Sequence, residues 1–270
     1  MLDGFDYEYA LRVSASTCTC AQFLSGFLIC VNFMKKGKVS NESIAPFVTG
    51  FLSSSLWMYY GMLLSNRTLV SVNAFGSLLF ATYTWMYYKY TTKKKRVVHC
   101  VISVVAFIFW IVYITDTTVH QTKLTLSAPA EFHQQKTVET AAVGPLDPKQ
   151  PNLSTTITTA IDRVGFICCV TTMLFFAAPL SNLIHVMKTK NTESLPMPMI
   201  AMTFLVSAQW LVYGKILRDK FIMYPNAVGC ILSAIQLSLF IVYSKRSSIL
   251  STTDHHNYHH PYPYNKLVDA

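Results

Sequence analysis

Charge is scarce in this sequence, and its distribution says more than its amount. Only 13% of the 270 residues are Asp, Glu, Lys or Arg, against about 25% in an ordinary soluble domain. No Asp or Glu falls within residues 15–34, 44–64, 68–88, 97–115, 165–187, 198–217 or 221–243. Each of these stretches has about the length and polarity of a helix that crosses lipid, which excludes a soluble globular class. The missing carboxylates also argue against ion- or proton-coupled transport, which generally needs acids at membrane depth. Cysteine is absent from the longest polar stretch, 116–162. Cys18, Cys20, Cys30, Cys100, Cys168, Cys169 and Cys230 all lie in apolar segments, so they read as packing residues and not as a disulfide framework. A basic start is missing too. Met-Leu-Asp-Gly-Phe-Asp-Tyr-Glu is acidic, and no cleavable signal is expected from it.

What is present is seven candidate spans and a set of basic loops. Lys35, Lys36 and Lys38 follow the first span, and Lys89, Lys93, Lys94, Lys95 and Arg96 the third. Lys188 and Lys190 follow the fifth, and Lys245 and Arg246 the seventh. These regions share one side only if the chain crosses seven times, and that side is expected to be the cytosol. The N-terminus and the 116–162 stretch then face outward. So does Lys215–Lys220, against the charge rule. The net charge of +9 belongs to these loops and calls for no nucleic acid partner. Residues 116–162 read as a mobile loop carrying a candidate glycan acceptor at Asn152. Asn66 also matches the acceptor pattern but lies close to the membrane. The tail after Ser244 reads as polar and disordered. Its His255, His256, His259 and His260 are expected to be solvated and not to bind a metal. No cofactor and no catalytic set is expected.

The chain repeats itself. Trp57-Met-Tyr-Tyr60-Gly61 returns as Trp210-Leu-Val-Tyr213-Gly214, and Asn73-Ala-Phe-Gly76 as Asn226-Ala-Val-Gly229. Trp57 to Trp210 is 153 positions, and so is Asn73 to Asn226. The same offset pairs Phe51 with Phe204, Ser54 with Ser207 and Tyr90 with Tyr243. Spans one to three therefore match spans five to seven, and the basic loops set both units the same way up. Two parallel three-helix units can be joined only through an odd number of crossings, which the fourth span supplies. The predicted fold is an all-α membrane protein with seven transmembrane helices, two parallel three-helix repeats and a linker helix, a 3+1+3 layout. Its parts are 1–90, the first repeat; 91–115, the linker helix; 116–161, a loop outside the cytosol; 162–243, the second repeat; and 244–270, a cytosolic tail. Repeats of this kind are a transporter architecture, with the substrate near the midplane between them.

Trp57, Tyr60, Gly61 and Leu64 share one helix face, with Ser53 a turn earlier. Asn73, Gly76, Ser77, Phe80 and Thr84 form a polar stripe on the third span, and Asn226, Gly229, Cys230, Ser233 and Gln236 another on the seventh. Such a stripe faces either a neighbouring helix or a water-filled path. The chemistry suits a sugar ring. An amide donates to and accepts from neighbouring hydroxyls. An indole makes a flat wall against ring C–H groups, with its N–H expected to be free to donate. Taken singly, an intramembrane Asn more often ties helices and a Trp more often packs. Their recurrence at one spacing favours a site made by both halves.

With these residues in view, the chain resembles the SWEET sugar transporters, in their animal branch, over about residues 15–243. Trp57–Gly61, Val72–Gly76, Ala178-Pro-Leu-Ser181, Met187-Lys-Thr-Lys190, Trp210–Gly214 and Arg218-Asp219 before Pro225–Gly229 carry the resemblance. It implies facilitative, bidirectional, energy-independent movement of a mono- or disaccharide, such as a hexose, by alternating access. It implies sugar contacts at Asn73, Asn226, Trp210, Trp57 and Ser53, and an outer gate at Tyr60 and Asp219 with Tyr213 nearby. It also implies hinge prolines at Pro46, Pro179 and Pro198. The proline expected in the first span is replaced by Gly26, the counterpart of Pro179. The plasma membrane is the expected location, with Golgi or endosomal membranes as alternatives, and self-association is open. The competing readings are a carrier of another small solute with the same topology, though no Pro-Gln pair lies in a span, and a non-transporting membrane scaffold. A seven-helix receptor would not carry the repeat.

Overall fold

The computed structural model describes residues 7–39, 42–127, 153–190 and 196–256, and those residues are helical apart from short connections. The helices are α1 (Tyr7–Leu24), α2 (Gly26–Lys36), α3 (Ala45–Leu63), α4 (Arg67–Tyr90), α5 (Lys94–Ser127), α6 (Leu153–Phe175), α7 (Ala177–Thr189), α8 (Met197–Leu217) and α9 (Lys220–His256). Among the described residues, six stretches are long and apolar enough to cross a membrane: Tyr7–Lys36, Arg67–Tyr90, Lys94–Gln121, Thr155–Phe175, Met197–Leu217 and Lys220–Phe240. Helix α3 makes the seventh rod of the bundle. It carries no charge, but Ser53, Ser54, Ser55, Trp57, Tyr59 and Tyr60 lower its hydropathy. Ser53, Ser54, Ser55 and Tyr60 are buried among other helices, where small polar residues permit close contact.

The repeat is written into the backbone as well as the side chains. Gly37 and Lys190, one offset apart, both take a left-handed conformation after α2 and α7, with φ 64° and 55°. Ser65 and Arg218, again one offset apart, do the same after α3 and α8, with φ 54° and 56°. There the Asn66 N–H donates to the Gly61 carbonyl at 2.8 Å and the Asp219 N–H to the Gly214 carbonyl at 2.9 Å. These bonds satisfy carbonyls that the helix ends leave open. Asn66 then caps α4 by accepting from the Leu69 N–H, and Asp219 caps α9 by accepting from the Phe221 and Ile222 N–H groups. Gly76 and Gly229 set the approach of helices within each repeat. A Cβ at Gly76 would meet Ser54 Oγ at 2.9 Å, and one at Gly229 would meet Ser207 Oγ at 2.5 Å.

Several observed boundaries differ from the sequence expectation. The first and fifth rods are each broken. Helix α1 gives way to α2 at Ser25, and α6 to α7 at Phe176. The breaks fall just before Gly26 and Pro179. Proline has no N–H to return to the carbonyl four residues back, which explains the second break. Helix α5 runs past 115 to Ser127, and α6 begins at Leu153, so helix extends into both ends of the 116–161 segment. Helix α9 likewise continues past Tyr243 to His256. The polarity of those extensions marks where the apolar span stops, not where the helix does. Asn152, His259 and His260 lie outside the described residues.

The interior is divided between two regions and a smaller third. One cluster joins the repeats and includes Leu56, Tyr60, Leu69, Val72, Val164, Cys168, Trp210, Tyr213 and Ile222. A second lies within the first repeat, where Phe33, Phe47, Tyr83 and Tyr87 pack together. Val186 and Ile200 form the third, in the second repeat. The described cysteines are free and sit within helices.

Candidate functional site

Helices α1, α3 and α4 of the first repeat and α6, α8 and α9 of the second enclose a cavity of about 190 Å³. Trp57, Asn73, Trp210 and Asn226 line it, with Thr19, Gln22, Phe23 and Thr172. Four residues singled out by the sequence thus meet at one place, two from each half. Ser53 does not join them. It is buried, and Val206, its counterpart in the second repeat, takes a place in the lining instead. Pockets for drug-sized ligands run to about 300–1,000 Å³, so this space suits a single small ring.

The two amides are posed alike. Asn73 Nδ2 donates to the Leu69 carbonyl at 2.9 Å and Asn226 Nδ2 to the Ile222 carbonyl at 2.7 Å. One N–H of each amide is used in this way, which leaves the other N–H and the amide oxygen to meet a solute. Other members of the two polar stripes bond within the bundle. Ser77 is bonded to Ser55 at 3.3 Å, and the Ser233 hydroxyl donates to the Gly229 carbonyl at 2.6 Å.

The indole N–H groups are not free, contrary to the expectation from sequence. Trp57 Nε1 donates to Thr172 Oγ1 at 2.9 Å, and Trp210 Nε1 donates to Thr19 Oγ1 at 2.8 Å. Each threonine hydroxyl has given its own proton to its helix, Thr19 to the Ala15 carbonyl and Thr172 to the Cys168 carbonyl. A hydroxyl so placed offers only lone pairs, which the indole takes. Both bonds cross from one repeat to the other. Thr19 and Thr172 are themselves one 153-residue offset apart, so the signal was present in the sequence.

Toward the end of the bundle that holds Asn66 and Asp219, a second crossed set follows. The Tyr60 hydroxyl donates to Asp219 Oδ2 at 2.9 Å. Its counterpart Tyr213 is bonded to Asn66, the counterpart of Asp219, with Asn66 Nδ2 donating to the phenol oxygen at 3.0 Å. Trp57 and Tyr60 rings stand edge to face at 5.7 Å, and Trp210 and Tyr213 at 5.5 Å. Each repeat thus packs its Trp against its Tyr as one aromatic unit. The first repeat has a further tie, Tyr59 donating to Asp116 Oδ1 of α5 at 2.6 Å. On the other flank of the cavity, Gln22 Nε2 donates to Thr203 Oγ1 at 2.8 Å.

Of the hinge candidates, Gly26 and Pro179 stand beside the helix breaks. Pro46 and Pro198 sit in the first turns of α3 and α8, where proline removes no helical hydrogen bond. Pro225 lies deeper inside a helix, in the second turn of α9. It leaves the Phe221 carbonyl open, and the Cys169 thiol donates to that carbonyl at 3.2 Å. Among the described residues no group of His, Cys, Asp and Glu is placed to hold a metal ion.

Two parallel repeats of membrane-spanning helices around a shared cavity define a multi-pass membrane protein of the small-solute carrier type. The chain belongs to the SWEET family of sugar transporters. The family model described as "Sugar efflux transporter for intercellular exchange" matches residues 9–95 and 162–248, the two repeats without the linker. Sugar transporter SWEET1 of Drosophila pseudoobscura pseudoobscura is 40% identical over 237 residues, covering 88% of this chain and 90% of that one. Sugar transporter SWEET1 of Danio rerio is 29% identical, covering 83% and 89%. A eukaryotic SWEET transporter of known structure superposes with a TM-score of 0.69 over 88% of this chain and 97% of that one. At 22% identity that likeness concerns the 3+1+3 fold. These relatives are transporters, not enzymes.

Proposed function

We propose that this protein is a uniporter that carries a monosaccharide, such as a hexose, in either direction down its gradient. The observation that carries the reading is the cavity of about 190 Å³ with an Asn and a Trp from each repeat on its wall. Asn73 and Asn226 would bond ring hydroxyls, while Trp57 and Trp210, their N–H groups already engaged, would act as apolar walls against C–H faces. The Tyr60–Asp219 and Tyr213–Asn66 pairs would be the outer gate, closed in this conformation. Opening would break both pairs and part the repeats at that end, with the breaks at Ser25 and Phe176 giving way. The absence of carboxylates from the seven spans read in the sequence, with Glu8, Asp116 and Asp162 beyond their ends, supports movement without ion coupling. The basic loops support a cytosolic C-terminus and an N-terminus on the opposite side, and the proposed location is the plasma membrane.

The test is flux of labelled glucose into and out of proteoliposomes holding the purified protein. Uptake and efflux should both occur, and neither should respond to an imposed proton or sodium gradient. Accumulation above the outside concentration, driven by either ion, would defeat the uniporter reading.

A further inference from the structure

Helices α4 and α5 each pack on α3 and scarcely on each other. Between them they leave a trough of about 360 Å³ over α3, at the end of the bundle where the basic loops lie. Val48 and Val97 make its buried floor. Trp85 and Tyr88 of α4 form one wall, and Val98, Val101 and Ile102 of α5 the other. It runs along α5 from Val97 to Val105, about 12 Å of helix. Its lining is almost wholly apolar, and Trp85 and Ile102 stand more than half exposed at its mouth.

The rim of this trough is charged. Lys94 Nζ stands 5.4 Å from the centre of the Tyr88 ring, and Lys89 Nζ 5.7 Å from that of Trp85. Lys89 Nζ also stands 5.6 Å from the centre of the Tyr90 ring, beside the trough, while Trp85 and Tyr88 are themselves walls of the trough. Lys93, Lys95 and Arg96 adjoin them in sequence, and no acid lies between Glu42 and Asp116. Among the described residues, neither Lys89 nor Lys94 makes an ion pair. An apolar slot beneath unneutralised cations fits an amphiphile with one anionic head and a hydrocarbon tail. A second copy of this chain would bring the same cations to the same rim. Like charge disfavours it.

We propose that this trough is a binding site for an anionic phospholipid, one acyl chain lying over Val48, Val97 and Val101 and the headgroup phosphate at Lys89 and Lys94. Basic pockets between membrane helices select anionic headgroups by this chemistry. The site is remote from the central cavity and does not depend on what the cavity carries.

The experiment uses the full chain with 5-fluorotryptophan, in phosphatidylcholine nanodiscs. Trp85 and Trp110 are both exposed apolar-face residues, and their fluorine resonances are assigned through Trp85→Phe and Trp110→Phe. Phosphatidylglycerol or phosphatidylcholine carrying a nitroxide on one acyl chain is added in small amounts. Trp85 should be broadened by the labelled phosphatidylglycerol at about one thirtieth of the phosphatidylcholine concentration needed, a preference expected from two lysines at a membrane surface. Trp110 should show no such preference. Lys89→Gln with Lys94→Gln should bring the two lipids level at Trp85, and soluble glycerol phosphate should not compete. Equal broadening by both lipids in the native chain would overturn the proposal. So would the same preference at Trp110, its persistence in the double variant, or its removal by glycerol phosphate at lipid concentration.

Discussion

At the basic end of the first repeat, Phe33, Phe47, Tyr83 and Tyr87 lock together. Phe33 lies 5.9 Å from Tyr87 and 6.4 Å from Phe47, edge to face, and Phe47 lies 5.9 Å from Tyr83. Such pairs add about 0.5–1.5 kcal/mol each beyond the area they bury. The Tyr83 hydroxyl donates to the Phe23 carbonyl at 3.1 Å, bracing the helix break at Ser25. The corresponding positions of the second repeat are Val186, Ile200, Gln236 and Phe240. Its break at Phe176 has no aromatic bracket of this kind among the described residues. At the other end the repeats agree nearly residue for residue, with Trp, Tyr, Thr and Asn in matching places. The two halves therefore share the cavity and the Tyr ties beside it but differ in packing below it. The first half is expected to act as the firmer body and the second as the one that yields.

The largest effect should come from breaking that stiffness. Phe47 and Ile200 are counterparts, 4% and 6% exposed. Phe47→Ala should cost about 3–5 kcal/mol, as for other buried aromatics. Ile200→Ala should fall at or below the lower edge of about 2–5 kcal/mol, because the smaller Val186–Ile200 cluster can collapse around it. Unfolding of the two variants in detergent by chemical denaturant measures the difference. Equal losses would show that the second repeat is as tightly packed as the first. Hydrogen exchange offers an independent reading, and α7 should exchange faster than α2.

The closure comes next, because here the repeats match in shape but not in charge. Tyr60 meets a carboxylate at Asp219, whereas Tyr213 meets an amide at Asn66. A hydrogen bond to a charged group contributes about 1.5–3 kcal/mol and one between neutral groups about 1 kcal/mol. Tyr60→Phe should thus open the gate end more than Tyr213→Phe, by about threefold or more in the open-to-closed ratio. Spin labels near Met62 and Lys215, also counterparts, would report the distance between repeats. The reverse order, or no change in either variant, would remove the Asp219 pair as the principal closure.

How much of this was legible beforehand follows the chemistry of each element. The spans could be read because lipid demands uncharged length, and the repeat because its offset runs ungapped from Phe51 to Tyr90. Asn73, Asn226, Trp57 and Trp210 were found because side chains that rare at membrane depth stand out, and they meet in one cavity. Thr19 and Thr172 were missed although they share the offset. Threonine in a membrane helix usually bonds its own backbone, and only the fold reveals the indole on its free lone pair. Ser53 looked right on its helix face and lies off the cavity, since periodicity gives a face but not the depth of a neighbour. That α5 and α9 run on as far as Ser127 and His256 was hidden because polarity signals where lipid ends and not where hydrogen bonding ends.

The amides should respond alike, and that equality is the sharpest check on the shared cavity. Asn73→Ala or Asn226→Ala removes a hydrogen bond from a partly enclosed space between the repeats. The typical cost is about 1 kcal/mol, and more if a sugar hydroxyl is left unpaired, which is about fivefold to hundredfold in affinity. Asn→Asp keeps the shape but adds a charge at membrane depth, so it should not rescue either position. Affinity must be measured per folded molecule, because an Asn that merely tied helices would lose protein and not affinity. Unaltered affinity in both variants would sink the site assignment while leaving the fold and family untouched.

The smallest expected effect is at the threonines, and it separates a wall from a donor. Thr19→Val and Thr172→Val keep the side-chain volume and remove the acceptor of one indole N–H. If the Trp rings are apolar walls held in place from the opposite repeat, each change frees one ring to turn. Affinity for the sugar should fall about fivefold, in line with one lost neutral hydrogen bond of about 1 kcal/mol. The indole vibration that reports N–H bonding, seen by ultraviolet resonance Raman, should shift for Trp210 in Thr19→Val and for Trp57 in Thr172→Val. Thr→Ser keeps the hydroxyl and should restore both readings. If instead the freed N–H turned to the sugar, affinity would hold or rise while the Raman band shifted, and the indoles would be donors after all. A fall in affinity confined to one variant would show that the two repeats hold the ring unequally. The symmetry seen at 2.8 and 2.9 Å would then be structural and not functional.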